Sequence, residues 1–389
     1  MSFRAKQAAA ALAAVGGMAL ASGCGAAVQG GTSSDTYTIG LVTSQTGAAS
    51  QLGVGELRGA QMAVEHVNAQ GGVNGKKLVL KSADDQTKPD QSLQQARDMI
   101  KSGVVAIVGP SVVAGCKAVG PLVQASGPIN YCLSPGIKPS GYVWSSSAAT
   151  GDLAERAMTY WKSKGITRIG VINTTDGSGT DGGEVTVAAI KKLGMTLVSQ
   201  VDYDPTDVSV TSQLAQVTAG KPQALVVWAT GTPVGVALKG IDQLGLKLPV
   251  MTTDGNLANT FLKRIADYTP ETLLIPATRD FWWQQLPKDN KAVALEKDYH
   301  EKYQAKFNEN PDFGPGVAYD AVLLIAEALK TAKSDDPQKL RAALEKVDGF
   351  AGVLGDYRMS ATNHRGLSLS DVALVQAKNG TFSYVDGSR

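Results

Sequence analysis

Hydrophobic positions along the chain follow two alternating periods. Tyr37 to Thr43 (YTIGLVT) is a short apolar run that predicts a strand. Over Glu56 to Gln70, Leu57, Ala60, Val64 and Val67 recur at helical spacing. A strand over 77–83 and a helix over 89–101 follow, with Pro89 in the first turn and Leu93, Ala96 and Ile100 turned inward. Strands over 104–108 and 128–132 flank a helix over 114–124. The alternation restarts after Thr150. Helices over 151–164, 181–193, 209–219 and 233–244 interleave with strands over 168–173, 195–203, 224–229 and 248–252. A helix and a strand over 271–276 close that series, and helices over 288–307, 316–333 and 337–346 precede a short β tail at 382–385. Repeated strand–helix units imply parallel sheets with right-handed crossovers. Two such series imply an α/β protein of two doubly wound parallel-sheet lobes.

Length agrees, because 389 residues exceed one comfortable hydrophobic core. With 43% apolar and 19% charged residues, the composition is that of a folded chain. Charge is concentrated nowhere. Residues 1–23 hold Arg4, Lys6 and no acid, and the remainder carries 35 basic residues against 35 acidic ones. A body without net charge or a basic run has no field to draw it to phosphate backbones, so nucleic acid is not an expected partner.

The N-terminus reads as an export signal over 1–23. Arg4 and Lys6 precede an uncharged apolar stretch, Ala8 to Leu20, and small residues lead to Cys24 (ASGC). This run resembles the lipobox of bacterial lipoproteins, which implies that Cys24 carries lipid and anchors the protein to the outer face of the cell membrane. An ordinary signal peptide with an incidental cysteine is the alternative. Residues 24–35 then read as a flexible tether. The long apolar run is confined to the N-terminus, so no helix is expected to span a membrane in the mature body. Cys116 and Cys132 remain. Export favours a disulfide between them over two buried thiols.

Catalytic motifs come close and fail. Gly53-Val54-Gly55-Glu56-Leu57-Arg58-Gly59 is one residue too long for a dinucleotide fingerprint. Gly109-Pro110-Ser111-Val112-Val113 lacks the second glycine of a nucleophile elbow. In His300-Glu301-Lys302-Tyr303-Gln304, glutamine stands where a zinc helix needs histidine. The run Gly177 to Gly183 has no following Lys-Ser/Thr, so it is not a phosphate loop. No enzyme activity, cofactor or metal site is expected. The same loops do share a position, because they follow the carboxyl ends of parallel strands, where open α/β sheets bind ligands. Loops 44–53 and 109–114 with Ser134 would line one lobe. Loops 174–183 and 229–233, including Thr230, with Asp254 would line the other. A ligand held between two such faces suggests a hinged clamp.

Gly59-Ala60-Gln61-Met62-Ala63-Val64-Glu65 and the run Asn68 to Leu78 (NAQGGVNGKKL) carry a resemblance. So do Asp84-Asp85-Gln86, Val108-Gly109-Pro110, Ser134-Pro135-Gly136 and Gly352-Val353-Leu354-Gly355. Over about residues 36–385 the chain resembles the family of leucine/isoleucine/valine-binding proteins. These are solute-binding components of ABC importers with the type I periplasmic-binding fold. The resemblance implies three crossovers, one lobe of 36–148 and 278–352, and another of 149–277 and 353–389. It implies binding roles at matched positions. Val113 stands where the family has a serine for the ligand carboxylate, with Ser111 nearby. Ile137 and Lys138 replace an Ala-Thr pair, and Lys138 either pairs a carboxylate or is an exposed loop residue. Leu52 and Ser178 replace aromatic walls. Asp254 matches the acid that holds the ligand ammonium; the alternative is a cap on a helix start at Asn256. Trp228, Trp282 and Trp283 are candidates for apolar wall, although Trp228 on a strand is more often simple core.

The function expected is that of an exported, lipid-anchored receptor. It would capture a small polar organic solute, such as a branched-chain or other amino acid, an amide or a carboxylate. It would deliver that solute to an ABC permease and its ATPase. A ligand sensor of the same fold and an exported α/β enzyme are the alternatives.

Overall fold

The computed structural model describes residues 35–389. The expected signal segment 1–23, Cys24 and the tether as far as Ser34 lie outside the described residues.

Five strands build the first sheet: β1 (Thr36–Thr43), β2 (Lys77–Asp84), β3 (Ala106–Val108), β4 (Ile129–Cys132) and β5 (Val143–Ser145). All are parallel, in the order β2-β1-β3-β4-β5, with Ile39 opposite Leu80 on one side and Ala106 on the other. Helices α1 (Ser50–Ala69), α2 (Pro89–Lys101) and α3 (Val113–Val123) supply crossovers. Buried strands that read as near-continuous apolar runs are what a sheet covered on both faces requires.

The chain then passes to a second sheet. Helices α4 (Thr150–Ser163), α5 (Gly177–Lys192), α6 (Thr211–Ala219), α7 (Thr232–Gln243) and α8 (Asn259–Ile265) alternate with five strands. These are β6 (Arg168–Thr174), β7 (Thr196–Tyr203), β8 (Ala224–Trp228), β9 (Val250–Met251) and β10 (Leu273–Ala277). A second passage leads to α9 (Lys291–Phe307), α10 (Phe313–Ala332) and α11 (Pro337–Leu344), then to a hairpin of β11 (Asp348–Ala351) and β12 (Asp356–Arg358). A third passage returns the chain to the second sheet as β13 (Ala373–Lys378) and β14 (Thr381–Tyr384). The second sheet runs β14-β13-β10-β9-β8-β6-β7. It is mixed rather than wholly parallel, because β13 pairs antiparallel with β10 and β14 antiparallel with β13. Two sheets joined by three passages realise the expected architecture.

Residues 353–358, expected with the second lobe, instead complete the β11–β12 hairpin. The Tyr357 hydroxyl there lies 2.8 Å from the Ser146 carbonyl and 2.9 Å from the Asp320 carboxylate on α10.

Two helices begin earlier than periodicity suggested, α1 at Ser50 rather than Glu56 and α5 at Gly177 rather than Asp181. Glycine causes both differences. A Cβ at Gly53 would meet the Ser44 carbonyl, and one at Gly179 would meet the Thr174 carbonyl. These glycines permit close packing inside helices rather than marking turns. Gly55 and Gly59 do the same for α1 against α10, where Pro315 occupies the space that their side chains would need. A buried core runs through both sheets and includes Trp144, Trp161 and Trp228.

Candidate functional site

A cavity of about 420 Å³ opens where the carboxyl ends of the two sheets meet. On the first-sheet side, Leu52 comes from the first turn of α1. Ser111 and Val113 come from the β3–α3 junction, and Ser134, Pro135 and Gly136 from the loop after β4. On the second-sheet side, Ser178 comes from the start of α5, Thr230 from the loop after β8, and Asp254 from the turn after β9. Strand ends place all of these, as the topology of open parallel sheets requires. A smaller cavity of about 230 Å³ lies between residues 241–249 and 268–272. Those segments precede β9 and β10, so it sits at the amino ends of the strands.

Seven of the residues expected from sequence therefore converge: Leu52, Ser111, Val113, Ser134, Ser178, Thr230 and Asp254. Ile137 and Lys138 do not line the cavity. After Gly136 the chain turns away, the Ile137 side chain packs on the core, and Lys138 is exposed. Arg365 accounts for that turn. Its Nη2 donates to the carbonyl oxygens of Pro135 (3.0 Å) and Ile137 (2.7 Å), and its Nη1 donates to those of Ser147 (2.7 Å) and Ala148 (3.1 Å). Trp228 is both core and wall, 1% exposed and lining the cavity. Trp282 and Trp283 belong elsewhere, in a small cluster with Leu286 and Ala373.

Asp254 is 3% exposed. Its Oδ1 accepts from the Thr253 hydroxyl (2.7 Å) and the Gly255 amide (2.9 Å). It opens a short 3-10 turn, Asp254–Asn256, and its side chain caps neither that turn nor α8. Burial pushes the carboxyl up to about 6, with those two hydrogen bonds and the charge of Arg365 opposing. Ser111 is already engaged. Its Oγ accepts from the Ser44 amide (2.9 Å) and donates to Glu56, a carboxyl that burial pushes up to about 8. Ser111 therefore braces the wall. Beside it, α3 starts without a side-chain cap, and Val113 and Ala114 of its first turn line the cavity. First-turn amides lack intrahelical partners, which makes this wall suited to an anionic group.

Cys116 and Cys132 form a disulfide, with Cα atoms 5.7 Å apart. It joins the first turn of α3 to the end of β4 and so holds the two loops of that wall together. Sequence reading missed Thr150 and Phe313, which also line the cavity, and took in Asp181 only as part of the 174–183 loop. Asp181 follows Ser178 by one turn, so an earlier start for α5 would have singled it out. Among the described residues no group of three or more histidine, cysteine, aspartate or glutamate side chains is placed to hold a metal ion, and no helix is long and apolar enough to cross a membrane.

A family model described as periplasmic binding protein matches residues 36–381. The Leu/Ile/Val-binding protein homolog 1 of Brucella abortus (strain 2308) is 26% identical over 343 residues, covering 84% of this chain and 87% of that one. A periplasmic binding protein type 1 from Bordetella pertussis Tohama I superimposes with a TM-score of 0.79 at 26% identity, covering 90% of this chain and 100% of its own. The branched-chain amino acid transporter substrate binding protein LivJ from Streptococcus pneumoniae, solved with isoleucine, superimposes with a TM-score of 0.75 at 21% identity. The match covers 90% of this chain and 98% of LivJ. At that identity it speaks for the fold.

Proposed function

The chain belongs to the periplasmic binding protein family, and from that premise we propose that it is the extracytoplasmic receptor of an ABC importer for an amino acid. The observation that carries this reading is the polarity of the cavity. Asp254 stands on one wall, and the uncapped start of α3 stands on the other. An ammonium group fits the first and a carboxylate the second. Leucine, isoleucine and valine enter as candidates through the relative named for them in Brucella abortus and through the isoleucine complex of LivJ. Leu52 and Ser178 in place of aromatic walls leave room for other side chains.

We assign 36–148 and 278–358 to one lobe and the remaining described residues to the other, with closure about the three passages between them. Cys24 carries the lipid that tethers the receptor beside its permease. Binding is tested by thermal shift across the amino acids, followed by calorimetry on the hits. One-to-one binding with the solute recovered unchanged is expected. Turnover of the solute would replace the receptor reading with an enzyme. Anchoring is tested separately by Cys24→Ala, which should move the protein out of the membrane fraction or leave it unprocessed; normal cleavage with full membrane retention would refute it.

A further inference from the structure

Two residues that line the cavity each carry a buried polar atom with no protein partner, the Thr150 hydroxyl and Asp181 Oδ2. Thr150 is 6% exposed and stands at the first turn of α4, where the chain enters the second sheet. Asp181 lies on α5, and its carboxylate reaches across to the opposite loop. A Cβ built on Gly136 would lie 3.1 Å from Asp181 Oδ2. Among the described residues, no lysine or arginine lines the cavity. Arg365 is near, but its guanidinium is directed to main-chain carbonyls and the Ser145 hydroxyl. A buried carboxylate oxygen without a donor is costly to leave unmet.

The order of strands separates Asp181 from Asp254. In the second sheet β8 lies between β9, which leads to Asp254, and β6, which leads into α5. Two strand spacings put those strand ends about 10 Å apart, with Trp228 between them at the end of β8. A branched aliphatic side chain carries no donor for Asp181, whereas a side chain with a terminal nitrogen does.

We propose that Asp181 and Thr150 form a second polar subsite, which takes a terminal amide or ammonium nitrogen on the side chain of the amino acid held at Asp254. The inference rests on the amino-acid reading above. In this arrangement Asp181 accepts from the nitrogen, the Thr150 hydroxyl takes a second hydrogen or donates to an amide oxygen, and Trp228 packs along the connecting methylenes. Asp181 is then the specificity-determining residue that sets this receptor apart from one built for leucine.

Calorimetry with L-leucine, L-glutamine and L-lysine tests this on the wild type, Asp181→Leu, Asp181→Asn and Thr150→Val, each checked for a native circular dichroism spectrum. Glutamine or lysine should bind at least about tenfold tighter than leucine, the scale of one buried hydrogen bond to a charged group. Asp181→Leu should erase that preference, and Thr150→Val should reduce it. Asp181→Asn separates the two chemistries, since it retains an amide ligand and loses an ammonium one. Leucine binding tightest, with Asp181→Leu changing nothing, would overturn the subsite and leave the amino-acid reading intact. Binding of none of the three amino acids to the folded protein would overturn both.

Discussion

Arg365 Nη2 donates to the carbonyl oxygen of Ile137 at 2.7 Å. Through that bond a residue of the third passage between the sheets holds a loop of the cavity wall. The same guanidinium holds Ser147 and Ala148, which lie in the first passage. It is buried among carbonyl oxygens, and burial lowers its pKa to about 10, so it remains charged at neutral pH. Arg365→Ala would strand those buried carbonyls, at roughly 1–3 kcal/mol for each one left unsatisfied. A loss of at least about 3 kcal/mol in denaturant unfolding is expected, and weaker ligand binding with it. Arg365→Lys should recover part of the stability, since one ammonium reaches some of the acceptors but not the whole fork. Wild-type stability in Arg365→Ala would contradict this account.

Ligand affinity should depend on pH through Asp254. With the carboxyl at about 6 in the free protein, the ionised form that attracts an ammonium is lost as pH falls through that value. For the tightest-binding amino acid of the panel, the apparent dissociation constant should rise about tenfold between neutral pH and one unit below that pKa. Calorimetry at the two pH values measures it. Asp254→Asn should weaken binding and flatten the profile; equal binding by that variant would remove Asp254 from the site.

The Cys116–Cys132 bridge closes a short loop, so its loss should cost about 3 kcal/mol in the chain-entropy model. A variant lacking Cys24 should show no titratable thiol when unfolded without reductant, and two after reduction. Two thiols before reduction would rule the bridge out. Because the bridge joins both loops of one wall, reduction should also weaken ligand binding.

Stability should fall as pH rises, because of a buried acid cluster beside the passages. Asp280 is pushed up to about 8, by burial first and then by Asp320, against its bond from Thr278. Burial raises Glu296 well above its ordinary value, and Asp280 adds to the effect. Asp320 sits at about 6, raised by burial and held down by the Leu354 and Val353 amides. Arg279 is the cation among them, paired with Glu296 (3.2 Å) and Asp356 (2.8 Å). Each raised carboxyl binds its proton in the folded state at pH values where the unfolded chain has released it. Its contribution is therefore complete below the unfolded pKa near 4 and is lost as pH rises towards 8. Urea midpoints should be higher near pH 5 than above pH 8, and Asp280→Asn should shrink that difference. An unchanged difference in Asp280→Asn would show that Asp280 does not titrate in this range.

The parallel strands and most helices were legible because buried strands read as apolar runs and amphipathic helices keep their period. Strands β5 and β13 were not legible. Val143–Ser145 is too short to show a pattern, and nothing in Ala373–Lys378 says which sheet it will join or in which direction. The site was legible where a residue follows a strand end, as with Ser134, Thr230 and Asp254. It was less legible where glycine hid a helix start, so that Asp181 was read only as part of a loop. It was illegible where a distant segment decides the path of a loop. Lys138 sits next to the cavity in sequence, but Arg365, far along the chain, turns its loop outward.

The glycine-mediated fit of α1 against Pro315 has a consequence for the order in which the molecule is completed. Residues 50–69 form one of the earliest helices to emerge in synthesis, and the helix that covers them spans 313–332. Until that late segment arrives, the face of α1 that packs on it stays open to solvent. The first sheet cannot be finished as a separate unit while the second is still being made. Chain closure over so long a separation slows the search for the native state. The protein is therefore expected to remain incompletely folded until nearly all of its length is available, and truncation before Phe313 should leave both sheets without a stable partner rather than yield one intact half.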